Sequence, residues 1–355
     1  MKRNLNEILT PQAIDALLGW YRANRRELPW RQTNDPYCIW LSEIMLQQTR
    51  VEAVKPYYER FLSVCPTVES LAALPEERLM KLWEGLGYYS RARNLQKAAR
   101  TVTEELGGRM PDTFEGLRRL SGIGDYTAGA IASIAFGVRV PAVDGNVLRV
   151  LSRLCASRED ITRQETKDSW RRELLPLVPE AAGDFTQSLI ELGATVCVPN
   201  GEARCEACPM SPFCVAAREK LTDEIPVRSA KKPRRIEELT VLIIRDGDRT
   251  ALCKRPPKGL LAGLYELPNV KGHIPKEELP TLIRSLGFDP LRVERLEDAK
   301  HIFTHVEWHM WAYSVRITPE FDGLHGASGM LLVQNGDLHE NYAIPSAFSA
   351  YTKYL

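Results

Sequence analysis

The pattern of hydrophobic and polar positions divides the chain into a helical part and a mixed part. From about residue 5 to residue 220, apolar side chains recur at spacings of three and four, as in the segments 13–24, 39–48 and 165–177. That period predicts amphipathic helices, and the period-two alternation of half-buried strands is missing. We therefore expect an all-α domain over residues 1–224.

The second part begins after a basic segment. Residues 228–235 (RSAKKPRR) carry five basic side chains and a proline, which indicates an exposed linker, assigned to 225–236. Beyond it, segments rich in β-branched and aromatic residues, separated by turn signals such as Asp246-Gly247, predict strands. Residues 237–355 are therefore predicted to form an α+β domain, with strands at 238–247, 250–256, 305–317 and 329–334 and helices at 276–287 and 346–354.

Composition restricts the class of protein without identifying it. Hydrophobic residues make up 44% and charged residues 26% of the 355 positions, which is typical of a globular protein in water. No apolar run approaches the roughly 20 residues of a membrane-spanning helix, and the N-terminus lacks the features of an export signal, so we expect a cytoplasmic protein. The net charge of +1 leaves a nucleic-acid partner open, because binding depends on where charges lie.

Two features suggest a site for a phosphate backbone and a reactive carboxylate. The segment 114–136 predicts a helix, a tight turn and a second helix, with Gly122 and Gly124 on either side of Ile123. The free N–H groups and positive dipole end of the second helix suit a phosphate. Asp144 follows in PAVDGNV, before a further helix. On the residues alone, an ordinary helical corner and a helix-capping aspartate remain open alternatives.

Four of the eight cysteines lie within 18 residues and form a candidate metal site. Such clustering in a reducing compartment indicates a metal rather than disulfides. Structural zinc sites usually contain a second close pair, whereas unequal gaps suit the separated corners of an iron–sulfur cluster; zinc stays an alternative. The spacing is Cys-x7-Cys-x2-Cys-x5-Cys, formed by Cys197, Cys205, Cys208 and Cys214.

The ordered pair LSGIGDYTAG and PAVDGNVLRVLSR resembles the helix-hairpin-helix–Gly/Pro–Asp superfamily of DNA glycosylases. In that superfamily the hairpin holds the DNA backbone and the aspartate faces the target sugar. The cysteine loop resembles the [4Fe–4S] loop of the endonuclease III and adenine glycosylase branch, although the first gap is seven residues rather than six. The resemblance implies a [4Fe–4S] cluster as the cofactor.

Cleavage of an N-glycosidic bond requires one group that protonates the leaving base and another that stabilises the sugar cation. Glu43 lies in a predicted helix crowded with apolar residues, where a carboxyl can stay protonated near neutral pH; a buried salt bridge is the alternative. The stretches 28–61 and 83–95 resemble the adenine DNA glycosylase family. That resemblance implies that Glu43 protonates adenine at N7, and that Asp144, oriented by Asn146, stabilises or traps the sugar cation.

Position 126 distinguishes two mechanisms. The bifunctional endonuclease III branch, which also cuts the strand, carries a lysine there that forms a Schiff base. Tyr126 cannot form an imine, and the resemblance gives it a hydrogen-bonding role in the pocket, so we expect a monofunctional enzyme that uses water. The rivals are a bifunctional glycosylase/lyase of the endonuclease III type and a catalytically silent DNA-binding paralogue. The presence of both Glu43 and Asp144 argues against the second rival.

The target adenine must leave the base stack to reach Glu43. By the same resemblance, Gln48 and Tyr88 fill the gap and touch the opposite base. Gln187 stands where some relatives carry glutamate, and its amide can still hydrogen-bond an adenine edge. The other expected contacts with the base or the DNA are Trp30, Arg31, Leu46, Thr49, Val51, Leu86, Gly122 and Gly124.

The segment 259–272 (GLLAGLYELPNVKG) resembles the Nudix-like domain that adenine glycosylases carry. A working Nudix hydrolase has a glutamate-rich metal-binding helix, but 276–287 offers only Glu277 and Glu278, so we expect binding rather than hydrolysis. The expected partner is duplex DNA in which adenine lies opposite 8-oxoguanine or guanine, bound by a monomer without a membrane partner, on the nucleoid if the protein is bacterial. The family's Phe-Ser-His motif, which reads 8-oxoguanine on a β-hairpin, is matched by Phe303, Thr304 and His305.

Overall fold

The computed structural model describes residues 2–199, 201–230, 233–318 and 329–355. These residues fall into two compact units, one helical and one built around a β-sheet. The helical unit comprises Met1–Ala73 and Arg93–Ala230, and the sheet unit comprises Leu74–Ala92 and Lys231–Leu355. The sequence analysis assigned the segment 74–92 to the helical domain, and the structure groups it with the C-terminal residues instead.

The predicted all-α character of the N-terminal part is confirmed. Short 3₁₀ turns at Pro29–Arg31, Leu175–Leu177, Cys205–Ala207 and Ser211–Phe213 lie between its helices. In chain order the α-helices of residues 2–230 are α1 (Leu5–Ile8), α2 (Pro11–Asn24), α3 (Pro36–Leu46), α4 (Val51–Val64), α5 (Val68–Ala73), α6 (Glu76–Leu82), α7 (Ser90–Glu105), α8 (Phe114–Arg118), α9 (Asp125–Phe136), α10 (Gly145–Leu154), α11 (Gln164–Leu174), α12 (Ala182–Thr195) and α13 (Val215–Arg218).

Helix α3 lies deep in the helical unit. Asp35 caps its first turn by accepting a hydrogen bond from the Tyr37 amide at 2.8 Å, and Pro36 takes the first helical position, where its missing N–H costs nothing. Every residue from Ile39 to Met45 is buried. A helix that is apolar on all sides belongs in a core, so its one acidic residue, Glu43, is buried with the rest.

A second set of helices forms the core on which the cysteine loop lies. Leu151 of α10, Trp170 of α11 and Leu189 of α12 are almost fully buried in one apolar cluster, together with residues of α1, α2 and α13. Ile225 joins the same cluster and is 1% exposed. The linker predicted at 225–236 is therefore too long at both ends, since Ile225 packs in this core and the first strand begins at Arg235.

The sheet unit confirms the predicted Nudix-like α+β character. Its strand order is β3-β2-β1-β7-β5, with β4 on β1, β6 on β7 and β8 on β2. The strands are β1 (Arg235–Asp246), β2 (Arg249–Lys254), β3 (Tyr265–Glu266), β4 (Asn269–Lys271), β5 (Pro290–Arg295), β6 (Ala299–Ile302), β7 (Val306–Ile317) and β8 (Leu331–Gln334), and the helices are α14 (Leu279–Ser285) and α15 (Asn335–Asn341).

The central pair β1 and β7 is parallel, in register from Arg235 opposite Val306 to Arg245 opposite Arg316. Side chains of β1 alternate between two cores, one under the C-terminal segment and one under α14. The predicted turn at Asp246-Gly247 is confirmed, because Gly247, with φ of 57°, begins a two-residue β1–β2 loop. The helix predicted at 346–354 is wrong: a segment that must bury Phe348 and Tyr351 forms two 3₁₀ turns, Ser346–Phe348 and Thr352–Tyr354.

Polar contacts explain why the segment 74–92 groups with the sheet. The Lys81 ammonium donates to the Tyr342 carbonyl at 3.1 Å, and the Ile344 amide donates to the Glu84 carboxylate at 2.8 Å. The Tyr265 hydroxyl donates to Glu77 at 3.4 Å. These pairs are separated by up to 261 positions in the chain, so no local sequence pattern signals them.

Within the described residues, no helix is both long enough and apolar enough to cross a bilayer.

Candidate active site

The helical unit contains a cavity of about 480 Å³ that collects the predicted catalytic residues. Such a volume is within the range of small-molecule sites and accommodates a nucleobase. Sequence analysis did not identify Arg26 or Ile190, which also line it. The predicted residues that line it are Trp30, Arg31, Glu43, Leu46, Gln48, Thr49, Val51, Tyr126, Asp144, Asn146 and Gln187.

Glu43 enters the cavity from the buried helix α3 and is 8% exposed. The pKa of its carboxyl is raised to about 7, mainly by burial and to a smaller extent by the nearby Asp144. A hydrogen bond from the Tyr126 hydroxyl and the charge of Arg31 act in the opposite direction and lower the pKa. A carboxyl group with this pKa is partly protonated at neutral pH and can donate a proton to a bound base.

Asp144 is the N-cap of α10. Its Oδ1 accepts hydrogen bonds from the Asn146 amide at 2.9 Å and the Val147 amide at 2.8 Å, and its Oδ2 accepts one from the Asn146 side-chain Nδ2 at 2.7 Å. Burial raises the pKa of Asp144, while these three donors lower it by favouring the ionised form. Asp144 therefore both caps α10 and lines the cavity, so the two roles that the sequence left open for it, a helix cap and a reactive carboxylate, are compatible in one geometry.

Asn146 has a fixed side-chain orientation. Its Oδ1 accepts a hydrogen bond from Arg149 Nη2 at 2.9 Å, so its Nδ2 faces Asp144. Arg149 is 2% exposed and also donates to the Gly193 carbonyl at 2.6 Å and, through Nε, to the Cys197 carbonyl at 2.7 Å. A Cβ at Gly193 would lie 2.6 Å from the Asn146 Cβ, so only glycine permits this approach of α12 to α10.

The hairpin between α8 and α9 places Tyr126 in the cavity. Gly122 has φ of 78°, and a Cβ there would lie 2.7 Å from the Asn94 side chain, so the turn requires glycine. Ile123, between the two glycines, is buried and 5% exposed. Gly124 is exposed and caps α9 with open space around it, which leaves room for a backbone phosphate near the free amides.

Tyr126 follows in the first turn of α9 and shares a hydrogen bond with Glu43. Burial raises the pKa of the Tyr126 phenol well above its usual value, and the neighbouring carboxylates Glu43 and Asp144 raise it further. The phenol therefore stays protonated and acts as a hydrogen-bond donor. Among the described residues, the cavity lining contains no lysine.

The remaining cavity residues form its rim and walls. Trp30 is 6% exposed and meets the Tyr58 ring edge-to-face at 5.4 Å. Gln48 is exposed at the end of α3, with φ of 59°, a left-handed conformation that is uncommon for a residue with a side chain. Such strained positions occur preferentially at functional sites. Gln187 lies on α12 and turns its half-buried side chain to the cavity.

Four cysteine side chains line a second, smaller cavity, beside Arg153. Among the described residues, no group of three or more His, Cys, Asp or Glu side chains is arranged to hold a metal ion. A four-iron cluster binds each thiolate to a different iron atom, so its ligands lie farther apart than those of one ion. Arg153 Nη1 donates to the Cys197 Sγ at 3.2 Å, a contact suited to a thiolate. Four thiols around one cavity form a donor set of the kind that holds an iron–sulfur cluster or a zinc ion.

The sheet unit contains the other predicted DNA-binding residues. Tyr88 is 47% exposed, with φ of 46°, and its hydroxyl lies 2.7 Å from the Thr304 hydroxyl. Leu86 is buried, and its carbonyl accepts a hydrogen bond from Arg91 at 3.0 Å. Strands β6 and β7 form the predicted hairpin, with Thr304 exposed at its tip.

The other two members of the hairpin motif differ in exposure. Phe303 is half-buried, because its ring packs edge-to-face on Trp308 at 4.8 Å. His305 is exposed at the tip, and its carbonyl accepts a hydrogen bond from the Arg235 amide at 3.1 Å. Thr304 and His305 are therefore the members of the motif most available for contact with a ligand.

Two family models match the chain, one in each part. Residues 41–176 match a model described as the HhH-GPD superfamily base excision DNA repair protein, and residues 240–354 match the NUDIX domain. Among solved structures, a thermostable thymine-DNA glycosylase superposes with a TM-score of 0.53 at 30% identity, covering 58% of this chain and 95% of that one. Endonuclease III in a trapped DNA complex superposes with a TM-score of 0.50 at 24% identity, covering 59% and 95%, and shares the fold.

Relatives at higher coverage share both parts. The adenine DNA glycosylase of Mus musculus is 36% identical over 85% of this chain and 70% of its own length. That of Rattus norvegicus is 35% identical over 95% of this chain and 77% of its own length. That of Buchnera aphidicola (Acyrthosiphon pisum) is 31% identical over 85% of both chains. The chain therefore belongs to the adenine DNA glycosylase family of base-excision-repair hydrolases.

Proposed function

We propose that this protein removes adenine opposite 8-oxoguanine or guanine in duplex DNA by a monofunctional mechanism. The observation that carries the proposal is one cavity in which Glu43, whose pKa is about 7, faces Asp144, whose carboxylate accepts three hydrogen bonds. One carboxyl group can supply a proton, and the other can stabilise a cation, as bond cleavage at a sugar requires.

The reaction begins when adenine leaves the stack and enters the cavity. Glu43 donates its proton to N7 of the base, and Tyr126, through its hydrogen bond to Glu43, stabilises the carboxylate that remains. The glycosidic bond then breaks, and its electron pair goes to the adenine. Asp144, held by Asn146, stabilises the positive charge on the sugar until water adds to C1′ and loses a proton.

The same cavity supports the proposed contacts with the base and a reaction without lyase action. Gln187 lies where its amide can hydrogen-bond an adenine edge, and Trp30 and Arg31 enclose the base. A lyase needs an amine that forms an imine with the sugar, and the lining offers Tyr126 in place of a lysine. These contacts support base release by water without strand cleavage.

Recognition of the opposite base is assigned to the sheet unit and to the rim of the cavity. Gln48 and Tyr88 are exposed residues in left-handed conformations, which suits side chains that wedge into the base stack. Thr304 offers a hydroxyl and His305 an imidazole at the hairpin tip, both suited to hydrogen bonds with 8-oxoguanine or its phosphate.

Cys197, Cys205, Cys208 and Cys214 are proposed to hold a [4Fe–4S] cluster. When bound, the cluster would order the loop that follows α12. Its thiolates would be negatively charged, and the Cys197 thiolate would accept a hydrogen bond from Arg153. Arg204 is exposed in the same loop and can contact a DNA phosphate.

The test offers the purified protein duplexes with adenine opposite 8-oxoguanine, guanine or cytosine, and scores strand breakage with and without alkali. We expect abasic product, revealed only by alkali, from the first two duplexes. Breakage without alkali would show lyase action and overturn the monofunctional mechanism. Equal excision from all three duplexes would overturn the proposed recognition of the opposite base, and no product from any would favour a silent paralogue.

A further inference from the structure

Glu191 is a fully buried carboxylate behind the wall of the adenine cavity. It lies on α12 one residue after Ile190, which lines the cavity, and its side chain is 0% exposed. Its Oε1 accepts hydrogen bonds from the Arg26 amide at 3.1 Å and from Arg26 Nε at 2.8 Å. Its Oε2 accepts one from Arg26 Nη2 and one from Arg31 Nη2, both at 2.8 Å.

These contacts hold Arg31 in one place. Besides its bond to Glu191, the Arg31 guanidinium donates through Nη1 to the Arg26 carbonyl at 3.1 Å and lies 5.6 Å from the centre of the Tyr21 ring. Its side chain is 9% exposed and lines the cavity. Burial opposes ionisation of Glu191, but the hydrogen bonds from Arg26 and Arg31 outweigh it and hold its pKa at about 2. A buried carboxylate with all its acceptor positions filled is a rigid anchor.

We propose that Glu191 is a positioning residue for adenine excision: it fixes Arg31 in the cavity wall and offsets the positive charge that Arg31 directs at Glu43. The inference rests on the proposed role of Glu43 as the general acid. Glu191 does not touch the base, so it acts through Arg31. The group formed by Glu191, Arg26 and Arg31 carries one net positive charge instead of the two that the arginines alone would carry.

The charge of this group bears directly on catalysis. The titratable groups that face Glu43 are Tyr126, Asp144 and Arg31, and of these only Arg31 is cationic. More positive charge behind the cavity favours the ionised form of Glu43 and lowers its proton affinity. Because Glu43 must be protonated to act, the excision rate falls as pH rises through its pKa. By offsetting the charge of Arg31, Glu191 places this alkaline fall at a higher pH than it would have without the carboxylate.

The experiment measures single-turnover excision of adenine opposite 8-oxoguanine against pH. Glu191→Gln removes the negative charge, so the alkaline fall should move to lower pH by about 0.5 unit or more. Arg31→Met removes a positive charge and should move the fall to higher pH, in addition to slowing excision. Glu191→Asp keeps the charge and should leave the pH of the fall in place, even where the rate drops.

Asp184→Asn is the matched control. Asp184 also lies on α12 and pairs with an arginine of α2, Arg22, at 3.1 Å, but that arginine side chain is 59% exposed. Its pH profile should match that of the parent protein. Thermal melting monitors folding of each variant, and if Glu191→Gln does not fold, the upward shift in Arg31→Met decides the question.

The role of Glu191 would be overturned by either of two results. In one, folded Glu191→Gln loses excision activity at the same alkaline pH as the parent protein. In the other, Arg31→Met does not lose it at a higher pH than the parent protein. Glu43→Gln separates this failure from that of the proposed function. If Glu43→Gln still excises adenine, both proposals fail together. If Glu43→Gln is inactive and the other two profiles do not move, only the role of Glu191 is rejected.

Discussion

The Tyr88 hydroxyl is hydrogen-bonded to the Thr304 hydroxyl at 2.7 Å, which joins the loop after α6 to the tip of the β6–β7 hairpin. Both side chains are exposed, and Tyr88 adopts a left-handed backbone conformation. The Arg91 guanidinium packs over the Tyr88 ring, 5.6 Å from its centre. Two residues predicted to contact the base opposite adenine thus form one pair within the sheet unit.

This pair gives a test of lesion recognition. Thr304→Val keeps the shape of the side chain and removes the hydroxyl, so the preference for 8-oxoguanine over guanine opposite adenine should fall by about 3- to 10-fold, the equivalent of one hydrogen bond. Thr304→Ser, which keeps the hydroxyl, should retain the preference for 8-oxoguanine. Excision rates on the two duplexes provide the ratio.

Thr281→Val is the control for this test, because Thr281 is an exposed threonine of α14 in the same unit. A ratio in Thr304→Val equal to that of the control would remove the threonine hydroxyl from recognition.

The double role of Asp144 predicts that capping and catalysis can be separated. Asparagine is a good N-cap, so Asp144→Asn should change the free energy of unfolding by about 1 kcal/mol or less. Without the negative charge, the sugar cation loses its stabilisation, and excision should fall by about 10²-fold or more. Chemical denaturation and single-turnover excision measure the two effects.

Asp35→Asn is the matched control, since Asp35 caps α3 in the same way by accepting from a backbone amide. We expect the two variants to lose similar amounts of stability, and only Asp144→Asn to lose excision activity. Near-parental excision by a folded Asp144→Asn would contradict the role of its charge.

Local chemistry made much of the site predictable. The turn at Gly122, the cap at Asp144 and the acid on an all-apolar helix each follow from a short stretch of chain, and the family resemblance supplied the other cavity residues that were predicted. Glu191 was not predicted because its importance comes from Arg26 and Arg31, which lie 165 and 160 positions away. A lone glutamate on a helix gives no sign of such partners.

The same limit explains the error in the domain boundary. Segment 74–92 has the helical pattern of its neighbours. It groups with the sheet because of contacts such as the hydrogen bond between Glu84 and Ile344, which lie 260 positions apart. Periodicity reports which face of an element is buried but not which distant partner buries it.

The close approach of α12 to α10 predicts a sharp effect of one methyl group. In Gly193→Ala the new Cβ would meet the Asn146 Cβ at 2.6 Å and its backbone at 3.1 Å, so Asn146 must shift away from Asp144. Overpacking of this kind costs about 1–3 kcal/mol of unfolding free energy, and excision should fall with it.

Gly19→Ala serves as the control for that substitution, because Gly19 lies within α2 with no atom within 4 Å of the added Cβ. This variant should be stabilised by about 0.5–1 kcal/mol, with excision unchanged. If Gly193→Ala were as stable and as active as the parent protein, the packing of α12 against Asn146 would not constrain the site.

The cysteine cavity predicts the metal content of the purified protein. Four thiolates that hold a [4Fe–4S] cluster should give about four iron atoms and four sulfides per chain, with a broad visible absorption. Cys208→Ser removes a half-buried ligand and should lower iron content and the melting temperature together, because cluster binding contributes to folding of the loop. Cys38→Ser, which changes a cysteine on α3 outside this cavity, should keep both. A colourless parent protein that contains one zinc per chain would replace the cluster with a structural zinc site, and equal iron in the two variants would remove Cys208 from the ligand set.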